Sequence, residues 1–111
     1  AMNFLSGRIE GGSFVSEGGL ALPLKGAPAG SEGRPVVYGV RPEHFALSED
    51  GLAIEVAVVE PTGSETLVVT KAAGHEITAV FRDRIQARPG EPLRLTPNPS
   101  LVQLFDPQSG R

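Results

Sequence analysis

Glycine and proline recur along the whole chain, 14 and 10 of them among 111 residues, and leave almost no window in which an α-helix could run uninterrupted. A proline inside a helix removes a backbone donor and clashes with the preceding turn, and an interior glycine costs about 1 kcal/mol relative to alanine. Between these breakers lie short runs rich in Val, Ile, Leu and Thr, with the alternating or continuous apolar character of half-buried strands. The chain therefore reads as all-β: about eight short antiparallel strands, folded as a small OB-type β-barrel with at most one or two helical turns. Closing such a sheet removes the exposed edges that otherwise invite aggregation. The length suits one domain spanning residues 1–111 with one core.

The expected strands follow the breakers. Asn3 to Ile9 and Ser13 to Ser16 flank Glu10-Gly11-Gly12 as a hairpin. Leu20 to Leu24 comes after Gly18-Gly19, and the small, polar GAPAGSEG segment from Gly26 to Gly33 is a surface loop before Val36 to Val40. Arg41 to Phe45 predicts one short helical turn, with Pro42 at the first helical position, where its missing donor matters least. Leu52 to Glu60 alternates Ile54, Val56 and Val58 against Glu55, Ala57 and Val59, and Pro61 to Ser64 ends it. Thr66 to Thr70 and Glu76 to Phe81 form a second hairpin around Ala73-Gly74-His75, and Leu93 to Thr96 and Leu101 to Phe105 complete the pattern.

Several function classes fall away on composition. With no cysteine there is no disulfide framework, thiolate metal site or cysteine nucleophile. No apolar run approaches the ~20 residues of a membrane-spanning helix, and the N-terminus lacks the basic start and apolar stretch of a signal peptide, so a cytoplasmic location is expected. A net charge of -3, with basic residues scattered singly and few aromatics, provides neither the basic stripe nor the stacking platforms of a nucleic-acid binder. Ala1 before Met2 has the form of a scar left by a cleaved tag, which would put the natural start at Met2, internal to a longer chain.

Catalytic signatures are equally scarce. The glycine-rich GRIEGG string at Gly7 to Gly12 has no following lysine to cradle phosphate and sits in a hairpin. His44 and His75 have acids only next door, Glu43 and Glu76, and adjacent strand residues point to opposite faces, so no metal site is expected. Ser13 and Ser64 lack the strained elbow that exposes a serine nucleophile. Glu60 and Glu65 flank one tight loop, where a like-charge pair can raise a pKa, but solvated loop acids are the ordinary case.

Four strings in this order are more specific than any of these: Met2-Asn3-Phe4-Leu5, GVRPEH at Gly39 to His44, VVEPTGSETLV at Val58 to Val68, and LFDPQSGR at Leu104 to Arg111. Together they resemble the TOBE domain, an OB-like regulatory domain that follows the nucleotide-binding domain in ATP-binding subunits of ABC importers for sugars, glycerol phosphate and related solutes. The resemblance covers nearly the whole chain. It implies a domain through which two ATPase subunits of a transporter meet, with ATP and Mg held in the nucleotide-binding domain and no cofactor or catalysis in this chain. The transporter's membrane subunits would be reached through that absent domain, at the inner face of the cell membrane. The resemblance also matches Gly39 and Glu60 to positions at which the regulatory domain of sugar importers meets soluble signalling proteins that inhibit transport. Before the last strand, Asn98-Pro99-Ser100 and Gln103 replace a common Pro-Glu-Arg and His, which leaves the identity of such a partner open.

A rival of another class is a ligand-binding barrel. Related domains in molybdate-handling proteins bind oxyanions at subunit interfaces, and Gly63, Ser64 and Thr66 offer donors of that kind. No Lys or Arg follows in that segment until Lys71.

Overall fold

The computed structural model describes residues 2–82 and 85–110. Ala1, read above as a tag scar, and Arg111, the last residue of the LFDPQSGR string, lie outside the described residues.

Among the described residues the chain forms nine strands and two 3-10 turns. The strands are β1 (Asn3–Glu10), β2 (Ser13–Ser16), β3 (Ala21–Leu22), β4 (Pro35–Val40), β5 (Phe45–Thr62), β6 (Glu65–Ala72), β7 (His75–Phe81), β8 (Pro92–Pro97) and β9 (Gln103–Phe105). One sheet runs β3-β2-β1-β4-β9 and the other β7-β6-β5-β8, every pairing antiparallel. The all-β OB-type architecture expected from the breakers is what the chain adopts. The expected helical turn is a 3-10 turn at Pro42–His44, and Pro99–Leu101 forms a second, capped by the Asn98 side chain, which accepts from the Ser100 amide.

Inward residues of the two sheets share one apolar core. Leu5, Phe14, Tyr38 and Val40 of the first meet Ile54, Val56, Val68, Ile77 and Leu95 of the second. Burying a side chain of this kind contributes about 1.5–3 kcal/mol. Phe14 and Tyr38 stack tilted with ring centroids 4.7 Å apart, and the buried Tyr38 hydroxyl donates to the Pro23 carbonyl at 2.8 Å. Burial raises the phenol pKa well above its usual range.

Local turn chemistry explains the hairpins. Glu10 pairs with Ser13 and Ala72 with His75, so each hairpin has a two-residue loop, Gly11-Gly12 and Ala73-Gly74. All four loop residues have positive φ, from 48° at Ala73 to 81° at Gly74. That is the geometry whose twist matches flanking strands, and it favours glycine or asparagine. Ala73 is the exception in residue type.

Three strand expectations need correction. Leu20 to Leu24 shrinks to Ala21–Leu22, because Pro23 has no amide to continue the ladder. Leu101 to Phe105 splits into the end of a 3-10 turn and β9. The third concerns β5, which is 18 residues long. Leu47 and Leu52 both pair with Leu95, so Ser48 to Gly51 loop out of one continuous strand. A second irregularity, between Val56 and Val58, shifts the register against β6. One extra residue turns every later side chain to the other face. Ile54 and Val56 are buried as expected, whereas Val58 is 42% exposed.

Among the described residues the two sheets keep their own edge strands, β3 and β9 in one and β7 and β8 in the other, and each edge is dealt with locally. β3 is two residues long and stops at Pro23, and β9 is three residues long and runs into Asp106-Pro107. β8 carries proline at both ends, Pro92 and Pro97. The free edge of β7 is occupied by the Asn3 side chain, which accepts from the Thr78 amide at 2.9 Å and donates to the Thr78 carbonyl at 2.8 Å. Short strands, prolines and side-chain caps all deny a template to further strands.

Candidate partner-binding faces

Sheet geometry places the two residues singled out by resemblance on different sheets. Gly39 lies in β4 between Phe4 of β1 and Gln103 of β9, and Glu60 lies in β5 opposite Leu67 of β6.

Around Gly39 the alternation of β4 is simple. Tyr38 and Val40 point into the core, so Gly39 and Val37 belong to the opposite face. Gly39 is nevertheless buried. A Cβ there would stand 2.8 Å from Met2 Sδ and 2.8 Å from Phe105 Cε2, so the missing side chain is the slot that those two groups fill. Phe105 in turn meets Phe4 edge to face, at 5.9 Å between centroids and 65° between planes, and Phe4 is 61% exposed. The absence of a side chain at Gly39 lets the Phe105 ring settle onto the sheet, where it meets the exposed Phe4.

Glu60 is exposed on the outer face of the second sheet. The register there brings Val58 opposite Val69 and then Thr78, and Glu60 opposite Leu67 and then Val80. Val58, Leu67, Val69 and Val80 form a partly exposed apolar band. Exposed Glu55, Lys71 and Glu76 lie in one row beyond the band, and Glu65 follows at the other end. The bulge at Val56 to Val58 creates this band by turning Val58 outward, which strict alternation in the sequence does not reveal.

Among the described residues no three His, Cys, Asp or Glu side chains come together as a metal site. His44 Nδ1 and His75 Nε2 are buried without a hydrogen-bond partner among the described residues. His44 lines a cleft of about 640 Å³ with Glu43, Leu47, Glu65, Val80 and Arg82. Gly63, Ser64 and Thr66 line a neighbouring cleft of about 420 Å³. That cleft also presents Glu65, with no Lys or Arg among its described lining residues, so its charge works against an anion. No helix of the described residues is long and apolar enough to cross a membrane.

Comparison with known proteins gives the chain's family. Residues 1–45 match the MalK OB fold domain and residues 38–105 the TOBE domain, the two matches overlapping across Gly39. An uncharacterized ABC transporter ATP-binding protein of Sinorhizobium fredii is 45% identical over 113 residues, 99% of this chain and 30% of that protein. The sulfoquinovosyl glycerol transport ATP-binding protein SmoE of Agrobacterium fabrum is 39% identical, across 100% of this chain and 33% of that protein. The sn-glycerol-3-phosphate import ATP-binding protein UgpC of Escherichia coli O157:H7 is 33% identical, again across 100% of this chain and 33% of the relative. The chain thus spans about a third of the length of these relatives. With an OB-type core, a TOBE match over most of its length and relatives that are ABC transporter ATP-binding proteins, the chain belongs to the TOBE domain family.

Proposed function

We propose that this chain is the regulatory and subunit-pairing domain of the ATP-binding subunit of an ABC importer for sugars, glycerol phosphate or a related solute. It acts as one domain, by surface contact and without catalysis. ATP and Mg belong to a nucleotide-binding domain elsewhere in the subunit, which sits on the cytoplasmic side of the membrane against the transporter's membrane subunits.

The observation that carries this reading is the contrast between edges and faces. Every edge strand is short, proline-bounded or capped, whereas each sheet exposes apolar side chains on its outer face, Phe4 on one and Val58 on the other. Apolar groups left on a surface, aromatics above all, mark places where proteins meet. Gly39 lies under one of these faces and Glu60 stands on the other, which supports their assignment as contact positions.

Light scattering of the purified chain over a concentration series, repeated with molybdate, sulfate and glycerol phosphate, tests it. The expected result is self-association that these anions leave unchanged and that Phe4→Glu weakens. A strictly monomeric chain would remove pairing from this domain, and saturable anion binding would favour the ligand-sensing alternative.

A further inference from the structure

The outer face of β5, β6 and β7 carries more information than the position of Glu60. Among the described residues its apolar band of Val58, Leu67, Val69 and Val80 is bordered by four carboxylates, Glu55, Glu60, Glu65 and Glu76, against two cations, Lys71 and Arg82. At the Val80 end it runs into the 640 Å³ cleft, whose walls include Phe45, Leu47 and Phe81 and which Glu43 and Glu65 also line. Leu47 is 48% exposed there, so the cleft offers apolar surface together with negative charge. Arg82, also a lining residue, offsets one of the two carboxylates.

A second copy of the chain fits this face poorly. In a two-fold contact the same patch meets itself, and here the excess of carboxylates would be set against an identical excess. Like charges brought together at an interface select against a partner more strongly than unlike charges hold one. The surface is instead complementary to an apolar centre with a positive rim. The cleft suits a Lys or Arg side chain, which can lay its aliphatic stem along Leu47 and Val80 while its charged head reaches the carboxylates.

We infer that this face receives a protein of another kind, presenting apolar side chains surrounded by Lys and Arg, one of which enters the cleft between Leu47 and Val80. The inference rests on the regulatory reading of the domain and specifies the chemistry of the partner that reading calls for. It separates a heterologous face on β5, β6 and β7 from the aromatic face around Gly39.

The probe is a pair of synthetic amphipathic peptides, one with leucines on one side and lysines on the other, its twin with glutamates in place of the lysines. Both are titrated into isotope-labelled chain while backbone amide shifts are followed. The lysine peptide is expected to move the Val58, Glu60, Leu67, Val69 and Val80 amides, to bind at least about tenfold more tightly than its twin, and to lose affinity with added salt. Charge reversal by Glu60→Lys or Glu65→Lys should weaken it about fivefold each. Val58→Arg, at an exposed position where folding is retained, should abolish it. Equal binding of the two peptides, or no response at this face, overturns the inference. Shifts confined to Phe4 and Phe105 would overturn it too, while leaving the regulatory reading of the domain standing.

Discussion

The side chain of Asn3 pairs with the backbone of Thr78 as an added strand would, through its amide oxygen and nitrogen at 2.9 and 2.8 Å, and its nitrogen also reaches the Val40 carbonyl at 3.2 Å. Asn3 begins the first sheet and Thr78 lies on the edge strand of the second, so one amide ties the sheets together and satisfies an edge.

Replacing Asn3 by alanine removes both bonds to Thr78 and leaves partly buried backbone groups without partners. Each such group costs about 1–3 kcal/mol. Asn3→Ala should therefore lower the urea midpoint with unchanged slope and speed exchange of the Thr78 amide hydrogen. An unchanged midpoint would mean that water replaces the amide without penalty.

Tyr38→Phe should cost about 1–2 kcal/mol, because the Pro23 carbonyl loses its donor while the ring stays in place. It should also change the alkaline limb of the stability profile. Burial holds the folded phenol protonated above the ordinary value of about 10. Below that value its contribution is fully present; above it the unfolded chain loses a proton that the folded chain keeps, so stability falls as pH rises. Denaturant titrations from pH 9 to 11 should show this decline in the parent and a shallower one in Tyr38→Phe.

Ala73 occupies the first position of a two-residue turn at φ 48°, a conformation that costs a residue with a Cβ roughly 1–2 kcal/mol. Ala73→Asn would restore the Asn-Gly pair favoured in this turn. The Ala73 carbonyl packs against Gly18, a backbone contact that the substitution leaves intact. An increase of a few degrees in melting temperature is expected for a gain of about 1 kcal/mol; a decrease would show that the exposed Ala73 side chain contributes packing.

Two strand glycines should respond differently to alanine. At Gly39 the new methyl crowds the Met2 and Phe105 side chains, which can swing aside, and makes an ordinary 3.5 Å contact with the Gln103 carbonyl oxygen, so a cost below about 1 kcal/mol is expected. At Gly7 it would fall on the Val15 carbonyl oxygen and within 2.7 Å of the Phe14 ring, which is fully buried, so a cost of about 3 kcal/mol or more is expected. Equilibrium unfolding of both variants checks the order, and Gly39→Ala should in addition disturb the Phe4 and Phe105 ring signals.

The sequence by itself determined what short-range rules can reach. Its breakers exclude long helices, its glycine-bearing turns at Gly11-Gly12 and Ala73-Gly74 mark two hairpins, its lack of cysteine leaves stability to packing, and its four ordered strings point to the TOBE family. What lay beyond it depended on partners distant along the chain. Asn3 finds Thr78 across 75 residues, and Gly39 is covered by Phe105 from the last strand. The extra residue at Val56 to Val58 is visible only against the register of β6, yet it turns Val58 to the surface and makes the face on which Glu60 stands. A side-chain period can be read along a strand, but the point at which it slips is decided by hydrogen bonding to neighbouring strands, and so by the tertiary structure.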